Sequence, residues 1–517
     1  MSEFENRIKD KSLLSKVVKD PKDLIKFFTT ADKKPISVGW SGFTPAGYPK
    51  LTPKVIADYV EEKGLQGKWK FDVYTGASVG ADTDGRWAEL QITNKRWPYQ
   101  TAKAVSAAIN KGEIKYGDKH LSTYAQDLLY GFYGELDYVF VEASEIDEKG
   151  NIVPTAAVGA SPAMIKIAKN IIVEVNTAIP NLKGMHDIYV PELPPHRKPI
   201  PITHSGERVG TEYIPTDKSK IVAIVESTLP DRGRALKGAG DDEKAIANHI
   251  VDFLSHEVKA GRLPKNLLPL QSGVGGIANA VVEGLTDSPF EDLTVYTEVL
   301  QDSFLPFLKS GKCKMITATS LSLSEDGFKD WWKDYTFYKD KVILRPQEIT
   351  NHPEVVRRLG VIAMNTPLEM DFYGHANSTL ASGTKMQNGI GGSNDFLRNG
   401  WISIMHGPSA RPSKSGDQFG ISCIVPKVTH VDQTEHDLSI LVTEQGLADL
   451  RGLAPRQRVP VVIEKCAHPA YKDYLKDYFK RAYDATKGNH EPQLLEECYK
   501  MHINLAKNGT MRFWEAK

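Results

Sequence analysis

Cysteine is scarce in this 517-residue chain: Cys313, Cys423, Cys466 and Cys498 are the four present, and none are paired at zinc-site spacing. That excludes a disulfide framework and a cysteine-based structural metal, and it fits a reducing compartment. Long apolar runs are missing too. No stretch approaches the roughly 18 uninterrupted apolar residues that a spanning helix needs, so no membrane segment is expected. Neither sign of charge dominates, with 65 Lys+Arg against 65 Asp+Glu. A nucleic-acid-binding stripe and a polybasic membrane patch are therefore both unexpected. No low-complexity tract appears, because the 41 Gly and 30 Pro are spread along the chain. The first twenty residues mix acids with lysines and hold no apolar core. A secretory signal is not expected, and the location follows as cytoplasmic, or mitochondrial in a eukaryote.

What is present is a rhythm of short apolar β-branched runs and longer amphipathic stretches. The runs include 35–40, 138–141, 171–175 and 221–225, while 101–111 and 242–259 have helical spacing. Strands this short and apolar, separated by helices, predict open α/β sheets buried on both faces. The length exceeds what one hydrophobic core supports, so two domains are expected. Residues 191–215 carry repeated prolines, which cannot continue a helix and favour extended chain, as in a domain crossover. An internal echo points to duplication. Ile152-Val153-Pro154 is followed by the run 171–175, and Ile424-Val425-Pro426 by 438–444, each after a further apolar run (137–141 and 401–405). The expectation is two tandem, related open-sheet α/β domains, residues 1–220 and 221–517.

Four glycine-rich loops carry the chemistry. Ser41 to Lys50 follows a strand, where glycine permits tight turns and close approach of backbone to a ligand. Gly76-Ala77-Ser78-Val79-Gly80 fits the nucleophile-elbow pattern, but the residues after it start a helix poorly and no late histidine stands out. Gly273-Val274-Gly275-Gly276-Ile277-Ala278 fits the dinucleotide fingerprint, with Glu298 at the distance of the ribose-binding acid. Backbone amides of such a loop at a helix start cradle any phosphate or oxyanion, so the pattern says anion more firmly than it says dinucleotide. Pro269 in the preceding run also counts against a standard first strand of that fold. The fourth loop runs from Asn388 through Gly392 to Asp395. The cluster from His430 to Asp437 lacks the spacing of known zinc motifs and reads as a polar network, so no metal is expected.

Taken in order, these blocks resemble the acetyl-CoA hydrolase/transferase branch of the class I CoA-transferases, which includes succinyl-CoA:acetate CoA-transferase. The resemblance runs through 41–44, 270–275, 296–302, 390–393 and 442–452. It implies two CoA-transferase-like domains with the active site at their interface, the second carrying the catalytic glutamate. Glu298 matches the family's nucleophile. The loop of Gly273, Val274, Gly275, Gly276 and Ile277 matches the CoA-binding loop, with the Val274 amide as an oxyanion donor. Gly392 matches a second backbone donor, Asn388 is placed beside CoA, and Asn351 matches an asparagine whose amide faces the reacting carbonyl. Arg232 and Glu444 resemble residues that position the nucleophile, and Lys414 matches a CoA contact. Asn394 and Gly276 depart from the commoner residues of their motifs.

The implied function is transfer of CoA between an acyl-CoA and a small carboxylate, of the succinyl-CoA/acetate or propionyl-CoA/succinate type, through a glutamyl-CoA thioester. This places the chain in acetate metabolism, with coenzyme A as substrate, no metal and a homodimeric assembly. The nearest alternative is acetyl-CoA hydrolysis at the same site. More distant ones are a dinucleotide-binding protein and a serine hydrolase acting through Ser78. Independently of the resemblance, Glu298 sits inside the apolar run 293–300, where an unpaired charge would be costly and a specific role is favoured.

Overall fold

The computed structural model describes residues 2–233 and 238–515. The chain forms two compact units, the first made of Met1–Ala235, Thr294–Leu308 and Cys313–Leu359, the second of Leu236–Leu293, Lys309–Lys312 and Gly360–Lys517.

The first unit is built on an eight-stranded sheet. Its strands are β1 (Ile36–Trp40), β2 (Phe71–Thr75), β3 (Thr93–Trp97), β4 (Lys115–Tyr116), β5 (Leu136–Ile146), β6 (Ile152–Pro154), β7 (Ala168–Asn176) and β8 (Ile221–Ser227). They lie in the order β4-β3-β2-β1-β5-β7-β8, all parallel, with β6 folded back antiparallel onto β5. Parallel strands need both faces covered, and the sequence supplies this: Val38, Trp40, Phe71, Val73, Phe140 and Ile172 are buried with Ile56 and Val60 from the helix Leu51–Glu62. Trp40 meets Trp87 edge-on, ring centroids 4.8 Å apart, an arrangement that favours the positive rim of one ring against the face of the other.

The proline-rich stretch 191–215 forms no helix or strand of its own and connects β7 to β8, neighbours in one sheet. The first sheet thus extends past residue 220. The segments Thr294–Leu308 and Cys313–Leu359 also belong to this first unit. Backbone bridges fasten them there, Ala157 to Ser320, Gly159 to Pro346 and His186 to Leu344. The buried ion pair Arg345–Asp187 adds a side-chain tie.

The second unit carries the strands Leu270–Ser272, Ile362–Asn365, Ile402–His406 and Ile440–Thr443 side by side and parallel, with Gly446–Asp449 antiparallel at the edge. The helices Asp241–Lys259 and Gly276–Thr286 pack on each other, and Pro455–Cys466 packs on the edge strands. The duplication signal is reproduced in part. β5 and β7 are parallel neighbours, as are Ile402–His406 and Ile440–Thr443. The shared Ile-Val-Pro motif differs in use: β6 pairs with β5, whereas Ile424–Val425 pairs with Glu369–Asp371 in a separate small sheet. All four cysteines are free and buried, and among the described residues no helix is long and apolar enough to cross a membrane.

Candidate functional site

Glu298 occupies the bend between the strands Leu293–Tyr296 and Val299–Leu300 and is partly buried. The bend is held through its backbone, since the Glu298 carbonyl accepts from the Thr319 amide at 2.8 Å and the Ser320 amide at 3.1 Å. Its side chain meets Asn351: Nδ2 donates to Oε1 of Glu298 at 2.6 Å. Asn351 is fully buried at the end of the short helix Gln347–Thr350. Its own Oδ1 accepts from the Thr350 hydroxyl at 2.7 Å, which fixes the amide so that its N–H side faces the carboxylate. Tyr296, also fully buried, donates from its hydroxyl to the Ile349 carbonyl at 2.8 Å and so ties the strand before Glu298 to the turn before Asn351.

The loop after β6 supports both partners at once. Val158 donates to the Thr319 carbonyl, Gly159 N–H to the Thr319 hydroxyl, and the Gly159 carbonyl accepts from the Gln347 amide at 3.0 Å. Gly159 has φ +55°, and a Cβ there would fall 2.5 Å from the Gly42 carbonyl oxygen. Only glycine fits.

Arg232 lies in the same unit, exposed and without an ion-pair partner among the described residues. Its neighbour Asp231 joins a buried group that sequence reading missed. Lys50 Nζ lies between Glu142 and Asp231, 2.8 Å from the latter, and all three side chains are almost inaccessible. Burial pushes Glu142 up to about 7, against the pull of Lys50 and with the help of Asp231. Burial opposes the charge on Lys50, but Asp231 and Glu142 raise it above the ordinary lysine range. The group fixes the Ser41–Lys50 loop, because Gly47 N–H donates to Asp231 at 3.0 Å and the Ser41 hydroxyl donates to the Gly47 carbonyl. Its signal was present: Glu142 closes an apolar run, as Glu298 sits within one.

Ser78 is buried and its hydroxyl has no hydrogen-bond partner among the described residues. A nucleophile elbow needs a base within reach, so the serine-hydrolase reading finds no support in this geometry.

In the second unit, Gly273, Val274 and Gly275 form a tight link between the strand Leu270–Ser272 and the helix Gly276–Thr286. Gly275 has φ +130° at the helix start, and Ile277 lies in the first helical turn. Val274 is 51% exposed, so its amide sits at an open helix N-terminus that suits an anion. Pro269 precedes the strand rather than interrupting it. Asn388 is exposed, whereas Gly392 is buried and begins the short helix Ser393–Leu397. Glu444 accepts from the Ser409 amide at 2.7 Å and from the Ser409 hydroxyl. Burial opposes its charge, but Ser409 and Gln445 hold the carboxyl below its usual range. Ser409 opens the loop that carries the exposed Lys414.

The His430–Asp437 stretch forms a network. Asp432 accepts from the Thr379 hydroxyl and the Ser378 amide, and Asp437 from Thr434. His375, Glu435 and Glu491 bring ligand atoms within 4.8 Å of one another. As it stands, the ring nitrogens of His375 face Asp371 at 3.1 Å and Glu435 at 2.8 Å. Burial opposes an imidazolium there, but Asp371, Glu491 and Glu435 outweigh it and raise His375 to about 9.

Comparison with known proteins adds to this geometry. A model of the acetyl-CoA hydrolase/transferase N-terminal domain matches residues 1–226, and one of the C-terminal domain of the same family matches residues 327–479. The chain is 53% identical over 518 residues to an acetyl-CoA hydrolase of Schizosaccharomyces pombe, covering 98% of each. It is 54% identical over 486 residues to that of Yarrowia lipolytica, covering 92% of this chain and 93% of the other. Among solved structures, RipA from Yersinia pestis aligns with TM-score 0.66 at 20% identity over 91% of this chain and 98% of its own. A 4-hydroxybutyrate CoA-transferase from Porphyromonas gingivalis aligns with TM-score 0.61 at 19% identity, covering 91% and 99%. These two likenesses concern the fold.

Proposed function

The chain belongs to the acetyl-CoA hydrolase/transferase family, and from that premise we propose that it cleaves the thioester of acetyl-CoA through Glu298, with water as the final acceptor. The observation that carries this reading is the oriented pair Asn351–Glu298. The names of the full-length relatives favour acetyl-CoA and hydrolysis.

A carboxylate oxygen of Glu298 attacks the acetyl carbonyl, the C–S bond breaks, and CoA thiolate leaves a mixed anhydride. The thiolate then attacks the glutamyl carbonyl, acetate departs, and Glu298 carries CoA as a thioester. Water attacks that thioester, its oxygen stays with Glu298, one proton goes to the thiolate and one to solvent. This is covalent catalysis, one hard displacement split into easier ones. Each tetrahedral intermediate needs hydrogen-bond donors aimed at its oxyanion. Asn351 supplies one from a buried, fixed amide, and the amides of Val274 and Gly392 are the further donors in this reading. Asn388 and Lys414 would contact CoA, and Arg232 and Glu444 would position the nucleophile.

Transfer to a second carboxylate is the other reading. The glutamyl-CoA thioester favours it, because a carboxylate attacks such an intermediate by reversal of the same steps. Acetyl-CoA turnover with and without added succinate separates the two. Release of CoA at full rate without succinate is expected of a hydrolase. A requirement for succinate, with succinyl-CoA formed, would replace hydrolysis by transfer, and activity surviving in Glu298→Ala would remove both.

A further inference from the structure

The loop that carries Lys414 is tethered from outside itself. Its stem is a minimal hairpin, Ala410–Arg411 against Ile421–Ser422. Two residue pairs cannot by themselves order the nine-residue tip between them, which is rich in Ser and Gly. The order comes from the segment after the helix Lys500–Asn508. The hydroxyls of Ser413 and Ser415, the two neighbours of Lys414, both donate to the Gly509 carbonyl, the first at 3.4 Å. Thr510 donates to the Asp417 carboxylate, and the Arg512 guanidinium lies 3.9 Å above the Phe419 ring. Gly509 has φ +76°, and a Cβ there would come within 2.7 Å of Ser415, so the close approach requires glycine.

The tether is itself anchored. Trp514 stacks on Tyr474 at 4.2 Å with the ring planes almost parallel, and His502 pairs with the buried Glu369 at 2.6 Å. Lys414 is thus flanked by two tethered serines, Ser413 and Ser415, while its side chain stays exposed and takes no partner among the described residues.

We propose that the segment Gly509–Trp514 is a positioning element for ligand binding, holding the loop so that the Lys414 ammonium meets a phosphate of the CoA moiety. Thr510 and Arg512 are positioning residues in this role. The proposal rests on the reading of the chain as an acetyl-CoA enzyme.

The test compares acetyl-CoA with acetyl-pantetheine, a thioester without the phosphates. Thr510→Val is expected to raise KM for acetyl-CoA about tenfold or more, the worth of a hydrogen bond to a charged group, with kcat unchanged within about twofold. Thr510→Ser keeps the wild-type KM, and Lys414→Ala raises it as Thr510→Val does. The double variant shows no further loss, because both changes remove one interaction. KM for acetyl-pantetheine stays constant throughout. Ser415→Ala weakens the same tether from an exposed position and gives a smaller KM rise, which covers the case of Thr510→Val failing to fold. An equal KM rise with acetyl-pantetheine, a fall in kcat at constant KM, or an unchanged KM in both Thr510→Val and Ser415→Ala overturns the proposal. A wild-type protein inert toward acetyl-CoA would overturn the functional reading instead, and is told apart because no variant is needed to see it.

Discussion

Asn351 presents its amide to Glu298 in one orientation because Thr350 occupies the oxygen side. An amide locked in this way is ready for a developing oxyanion and needs no rearrangement as charge appears. Asn351→Ala is expected to lower kcat about a hundredfold to a thousandfold, the usual effect of removing one such donor. Steady-state rates with acetyl-CoA check this, and a loss of only a few-fold would remove Asn351 from the chemistry. Glu298 was legible in the sequence because a lone acid inside an apolar run is costly without a purpose. Its pairing with Asn351 was not legible from spacing, since 53 residues separate them and only the folded chain brings them together. His375 yields a prediction of another kind. Its ordinary value near 6.5 rises to about 9 in the folded protein. The stability it contributes is therefore complete below pH 6.5 and is lost as pH rises through 9. The midpoint of thermal unfolding of the wild type should fall over that window, and His375→Gln should flatten the slope. An unchanged slope in the variant would contradict the assignment.

At the level of elements, the strand–loop–helix at 270–286 follows directly from its sequence: an apolar run, glycines at the turn, then helical spacing. The use of the loop after β6 does not. Gly159 looks like one glycine among 41, yet its amide reaches Thr319, which holds the Glu298 backbone, and its carbonyl reaches Gln347 in the helix before Asn351. Gly159→Ala forces a Cβ into the Gly42 carbonyl at an unfavourable φ, a cost of the order of 1–3 kcal/mol for the backbone alone. We expect a lower midpoint of thermal unfolding and a kcat loss of about tenfold or more through displacement of Gln347 and Asn351. Wild-type kinetics in a folded Gly159→Ala would separate this loop from the site. Lys50, Glu142 and Asp231 were legible only in part: Glu142 closes an apolar run, but only the fold brings it to Lys50 and Asp231 in one buried group.

For the whole molecule, the alternation of short apolar runs and amphipathic stretches gave the α/β class, and the two compact units are each built on a largely parallel open sheet. The return of Thr294–Leu308 and Cys313–Leu359 to the first unit could not be read from composition or periodicity. It depends on backbone bridges between residues more than 150 positions apart, and no local pattern encodes such pairings. The covalent role proposed for Glu298 draws on all three scales, since both the strand bend and the returning segment place it beside Asn351. The most direct test is to incubate the protein with acetyl-CoA alone, reduce with borohydride and map the modified peptide. The account predicts reduction of a single side chain, Glu298, with no labelling in Glu298→Ala. Modification at any other residue, or none in a preparation that releases CoA, would contradict it.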